Sequence, residues 1–159
     1  MSLQQSDGPF DLIWSMESAE HIRDKQALLH LFHGLLAPGG RLLMATWFHR
    51  DTPPALSDKE ENLLQGIYQR YHLPPMVSIP QLHCMAEQAG FQQVQTADWT
   101  EQVAPFWKAV IRTALSWKGI KGLLKTDWGT IQGAWAMRSM VQGYRKGIIK
   151  FGVLQAQKI

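Results

Sequence analysis

Ser15, Glu17, Ser18, Glu20 and His21 place two hydroxyls, two carboxylates and an imidazole in one short stretch. They follow an apolar run, Phe10-Asp11-Leu12-Ile13-Trp14, and precede a helical pattern beginning near Asp24. A strand that leaves through small and acidic residues into a helix is half of a βαβ unit. Open α/β sheets seat their ligands beyond the carboxyl ends of such strands. The expected floor of a site is therefore Ser15 to His21, where backbone and short side chains face a ligand. The same residues can instead turn the chain and cap the next helix, and spacing alone does not separate the two.

Elsewhere the reactive residue types are scattered. His30 and His33 lie three apart on a helix, but no neighbouring Cys or carboxylate completes a ligand set, so no metal is expected. Cys84, the single cysteine, excludes an internal disulfide, suits a reducing compartment and reads as a small core residue. Of seven tryptophans, Trp99, Trp107, Trp117, Trp128 and Trp135 are interleaved with Lys108, Arg112, Lys118, Lys121 and Lys125. No acid falls between Glu101 and Asp127. Indole prefers a membrane interface and lysine its anionic head groups, so peripheral membrane contact is one reading and a solvated helical face the other. A net charge of +3 is too mild to imply nucleic acid.

The elements that must position these groups follow from periodicity and punctuation. With 159 residues, 45% hydrophobic and 18% charged, the chain is one globular domain at most. Met1 to Asp7 has neither the basic region nor the apolar core of a signal peptide, and no apolar run reaches about 18 residues. The expected location is cytoplasmic, with the membrane contact as an addition. Phe10 to Trp14 reads as a buried strand. Asp24 caps a helix with apolar positions Leu28, Leu29, Phe32, Leu35 and Leu36, which Ala37-Pro38-Gly39-Gly40 is expected to stop through a left-handed glycine. Arg41 to Phe48 is a second buried strand, parallel to the first.

Ser57 and Glu60 form a capping box for a helix to Tyr71, and Leu73-Pro74-Pro75 breaks it. Pro80 opens a helix that closes at Gly90. Phe91 to Trp99 and Ile148 to Ala156 read as strands, and 104–117 and 128–144 as helices. About four strands and five helices in this order are an α/β sheet. No G-x-G-x-x-G turn is present, and Gly39-Gly40 follows a helix, so it cannot present helix-terminal N–H groups to a ligand.

FDLIWSMESAEHIRDK followed by LLAPGGRLLMATWFHR resembles the middle of a class I S-adenosylmethionine-dependent methyltransferase, more narrowly the tocopherol methyltransferases. YHLPPMVSIPQLHCMAEQAGF, TADWTEQVAPFWKAVI and GYRKGIIKFGVL continue the resemblance almost from end to end. It implies a Rossmann-like sheet with helices on both faces, here a partial sheet lacking the first three strands. Residues 1–159 would be the carboxyl-terminal part of one methyltransferase domain. The glycine-rich loop that wraps the cofactor and the acid that binds its ribose would lie in the absent half.

The resemblance also implies roles. Ser15, Met16 and Glu17 would hold S-adenosylmethionine, with His21 beside them. The family reaction methylates a ring carbon next to a phenol hydroxyl, so His21 or Glu17 is the expected base, with His49 and His72 as lesser candidates. Trp47, Phe48, Trp99, Phe106 and Trp107 would enclose a prenylated ring, with His49 at its edge, or would simply pack the core. The expected activity is ring methylation of a tocopherol-like phenol. The alternatives are a relative acting on another aromatic or an amine, and a non-catalytic chain or subunit that needs a separate cofactor-binding half.

Overall fold

In the computed structural model, which describes residues 8–114 and 128–159, Phe10–Met16 forms strand β1. Helix α1, Lys25–Leu35, follows it, with the Asp24 carboxylate accepting the Ala27 N–H at 2.8 Å. Strand β2 is Leu36–His49, and it pairs parallel with β1 through Leu12–Arg41, Trp14–Leu43 and Met16–Ala45. Helices α2 (Asp58–Tyr71) and α3 (Ile79–Gln88) precede β3, Gln92–Asp98. Helices α4 (Thr100–Ala114) and α5 (Trp128–Arg145) precede the final strand, β4, Ile149–Gln157. The sheet order is β1-β2-β4-β3, and β4 runs antiparallel to both of its neighbours.

Alternation along β2 and β4 separates two cores. Leu42, Met44 and Phe48, with Leu154 and Ala156, pack against Leu29, Phe32 and Leu35 of α1 and Leu82 and Ala86 of α3. Ala45, Trp47 and Phe151 on the other face meet Leu64, Ile67 and Tyr68 of α2 and Met140 of α5. Helices therefore cover both faces, as expected of a Rossmann-like α/β sheet.

Three local expectations change. The Ala37–Gly40 stretch does not end α1 with a left-handed glycine. Leu36 leaves the helix in extended backbone, and residues 36–40 already belong to β2. The tail of the chain selects this: Gly39 N–H donates to Lys158 O at 2.7 Å, and Lys158 N–H to Gly40 O at 2.9 Å. Gly39 does adopt φ +82°, but as part of that pairing. Helix α4 starts at Thr100 because the Asp98 carboxylate accepts the Thr100 N–H at 2.9 Å. Cys84 is exposed, since the buried stripe of α3 runs through Ile79, Leu82 and Ala86.

The reading of β1 as a buried strand is also corrected. Phe10, Leu12, Trp14 and Met16 are 41, 52, 61 and 54% exposed, and among the described residues β1 has a single neighbour. An apolar run on both faces of a strand marks one that is covered on both sides. Here one side only meets the core, where Ile13 packs against the cluster that contains α1.

The loop that carries the chain from β2 to α2 is held by one guanidinium. Arg50 donates to both carboxylate oxygens of Glu60, at 2.7 and 2.9 Å, and to the carbonyls of Asp51, Pro54 and Ala55. Ser57 adds its N–H and hydroxyl to Glu60, each at 2.8 Å. These bonds, Arg50's first, hold the Glu60 carboxyl well below its ordinary value of 4.5. A carboxyl with a depressed folded-state value contributes stability above its ordinary value and loses it as pH falls toward the folded-state one. Glu60→Gln should therefore melt at a lower temperature than the parent at neutral pH, with the deficit closing below about pH 4. Thermal melts across that range check both the sign and the window.

Candidate active site

At the end of β1, Ser15 is buried with its hydroxyl 2.9 Å from that of Ser18. Glu17 takes φ +47°, and its N–H donates to Ala45 O at 2.8 Å. A non-glycine residue in that region costs on the order of 1 kcal/mol and persists where its surroundings over-determine it. The bend reverses the chain into a single 3-10 turn, Ala19–His21. Ala19 enters the core, which turns the neighbouring Glu20 inward to 4% exposure.

Glu20 accepts a short hydrogen bond from the Thr46 hydroxyl on β2. Its other oxygen has no hydrogen-bond partner among the described residues. A buried carboxylate needs compensation. Lys25, itself 4% exposed, supplies part of it: its ammonium donates to Ile22 O at 2.9 Å. Burial lowers the Lys25 pKa, and the nearby charge of Glu20 opposes that fall.

Glu20, His21 and Glu17 form one side of a cavity of about 320 Å³. Trp47 from β2, Tyr71 and Leu73 at the end of α2, Phe106 from α4, and Met137 and Met140 from α5 complete it. Trp47 is fixed edge-on against Phe151, with ring centroids 4.8 Å apart. Burial raises the pKa of the Tyr71 phenol, so it is protonated and able to donate at neutral pH. The volume is at the lower end of small-molecule sites. Two carboxylates and an indole attract a cation, and beyond the His21 imidazole and the Tyr71 hydroxyl the remaining wall is apolar.

The structure brings Glu17, His21, Trp47 and Phe106 together, four of the residues the sequence singles out. Ser15 and Met16 stay outside the lining: Ser15 faces the sheet interior, and Met16 lies on the open side of β1. Trp99 is 45% exposed and tied by its N–H to Phe151 O, away from the cavity. Phe48 is core, at 1% exposure. His49 lines a different cavity, of about 550 Å³, with Ser78 and Cys84, and its Nδ1 contacts Arg50 O at 2.6 Å. His72 is an exposed left-handed cap of α2. The Trp107 side chain, and Trp117, Lys118, Lys121 and Lys125, lie outside the described residues. His33 packs edge-on against Phe91, and among the described residues no three His, Cys, Asp or Glu side chains converge to hold a metal.

Sequence reading missed the roles of Glu20, Thr46, Tyr71, Leu73, Met137 and Met140. Glu20 had a signal, its place beside His21 in one motif. The others had none, because they lie on β2, on helices α2 and α5 and just after α2, elements that only tertiary packing brings to this strand end.

An open α/β sheet with helices on both faces and its cavity at a strand exit has the fold of class I methyltransferases. A solved mycolic acid cyclopropane synthase complexed with SAH and CTAB superimposes with a TM-score of 0.77 at 21% identity, over 96% of this chain and 56% of that one. The sequence model of the methyltransferase domain family matches residues 1–96, and the chain belongs to that family. It is 45% identical over 155 residues to the probable chloroplastic tocopherol O-methyltransferase of Oryza sativa subsp. japonica, and 44% identical to the chloroplastic tocopherol O-methyltransferase of Arabidopsis thaliana. Each match covers 96% of this chain. The chain spans 43 and 44% of the length of these two curated relatives.

The hydroxyl of Thr46 is what fixes Glu20. Thr46→Val should cost about 1–3 kcal/mol of stability in urea unfolding, since a charged acceptor loses its donor. Thr46→Ser should restore most of it. A valine variant as stable as the parent would show that Glu20 is held by something else.

Proposed function

We propose that residues 1–159 are the carboxyl-terminal part of one S-adenosylmethionine-dependent methyltransferase domain, whose acceptor is a phenolic prenyl lipid of the tocopherol type, methylated on its ring. The observation that carries this is the buried Glu20 carboxylate, engaged by protein on one oxygen and set with Glu17 and His21 in a cavity whose other walls are aromatic, aliphatic and thioether side chains. The identity to two tocopherol O-methyltransferases supports the choice of acceptor.

S-adenosylmethionine supplies a methyl group on a sulfonium cation, which needs no acid to leave. The cavity's residues fit that cation: Glu17 and Trp47 would hold it. Glu20 presents a carboxylate oxygen to the acceptor. Accepting the phenol proton there raises electron density on the ring carbon and on the phenol oxygen alike. After the methyl moves from sulfur to the ring carbon, that carbon's own hydrogen leaves as a proton and the phenol is restored, one proton being released in all. His21 lines the same side and can share the proton. Trp47 and Phe106 hold the ring against this edge and keep water from it, and holding the reactants in line supplies most of the rate. The exposed Trp99 and Phe106 suit contact with the lipid surface from which such an acceptor is drawn.

Assayed together with the cofactor-binding half, Glu20→Gln should lower methyl transfer to a prenylated chromanol by about 10²–10⁴-fold, the usual worth of a positioned proton acceptor. The variant should keep the parent's melting temperature to within a few degrees. Mass and NMR analysis of the product assigns ring carbon or oxygen. Transfer to amines in preference to phenols would overturn the reading.

A second reading concerns how the site is completed. The open edge and bare apolar face of β1 adjoin the bend that carries Glu17. An apolar strand edge of this kind is a site for pairing or aggregation. We infer that a separate cofactor-binding half covers it. The purified 159-residue chain alone should then bind S-adenosylmethionine weakly or not at all by calorimetric titration. Trp14→Lys should reduce its self-association in sedimentation. Micromolar cofactor affinity of the isolated chain would refute the need for a second half.

A further inference from the structure

A second cavity, of about 300 Å³, abuts the first and shares Glu17, Trp47 and Phe106 with it. Gln102 and Val103 of α4 and Phe151 of β4 complete it. The two differ in chemistry. The first holds Glu20, His21 and the Tyr71 hydroxyl. The second has a carboxylate only at the shared margin, an exposed amide at its outer edge, and otherwise Trp47, Val103, Phe106 and Phe151. Each alone is at the lower limit of a small-molecule site, and a ligand spanning both would be long, polar at one end and apolar at the other.

The outer end leads to the surface. Gln102 is exposed, and Phe106 is 57% exposed one turn further along α4. Trp99, 45% exposed, stands one turn before Val103, whose N–H donates to Trp99 O at 3.1 Å. Gln102 and Phe106 line the second cavity one turn apart, and Trp99 precedes them at helical spacing on the surface, where a chain too long for the cavity would emerge.

Resting on the acceptor reading above, we propose that the second cavity is a hydrocarbon-tail subsite, in which Val103, Phe106 and Phe151 receive the first isoprenoid units while the ring lies against Glu20. The subsite makes tail-bearing acceptors bind better than tail-less ones, with Gln102 and Val103 setting how much tail is accommodated.

The test titrates two chromanols with the same ring into the purified 159-residue chain by calorimetry, one with a short prenyl tail and one without. The parent chain should bind the tailed compound at least about tenfold more tightly, the factor that corresponds to about 1.4 kcal/mol. Gln102→Trp, which fills the cavity from an exposed position, should weaken the tailed compound about tenfold. It should leave the tail-less one within about twofold. Val103→Phe should do the same from the inner wall, and if its melting curve shows that it does not fold, the Gln102 variant decides alone. Equal losses for both compounds, or no loss for the tailed one, would overturn the subsite. A parent chain that binds both compounds equally would sink the subsite and leave the acceptor reading standing. A parent chain that binds neither would sink the acceptor reading, and the subsite with it.

Discussion

The two-residue period of β2 is the constraint on which the rest depends. Every residue from Met44 to His49 is buried, and each belongs to one side of the sheet or the other. Met44 and Phe48 serve the core under α1 and α3, while Ala45 and Trp47 serve the core under α2 and α5. A slip of one residue would exchange both sets at once, so parallel pairing with β1 and antiparallel pairing with β4 are mutually locked. Thr46 and Trp47 are consecutive on this strand, and they deliver the two things the cavity needs from it: a hydroxyl for Glu20 and an indole wall.

That arrangement explains how a carboxylate can sit at 4% exposure. The cost of burying Glu20 is met locally by the Thr46 hydroxyl and the adjacent Lys25, and the 3-10 turn that points it inward is anchored by Ala19 in the core. The left-handed backbone at Glu17 is the other half of the same device. It turns the chain sharply enough for Glu17, Glu20 and His21 to share one cavity although β1 itself lies at the sheet edge.

The open side of β1 stands apart from this order. Phe10, Leu12, Trp14 and Met16 make its open face apolar, as in a strand covered on both faces, yet only the other face meets the core among the described residues. The segment after β2 is closed by the Arg50–Glu60 pair, and Lys150 bridges Asp51 and Asp98 at 3.4 and 3.0 Å, joining that loop to the end of β3.

Short-range features were determined by the sequence alone. The Asp24 cap, the Ser57–Glu60 start, the Pro80 start of α3 and the strand periods are all set by residues close to one another along the chain. Where a distant segment competes, local reading failed: the chain's own tail drew Pro38-Gly39-Gly40 into β2. Membership of the site was decided only in three dimensions. Tyr71, Phe106 and Met140 come from three helices whose packing no local pattern encodes, while His49, two residues from Trp47 on the same strand, falls into another cavity. Sequence periodicity sets which face a side chain takes. Which cavity that face meets depends on helices that reach it through tertiary packing.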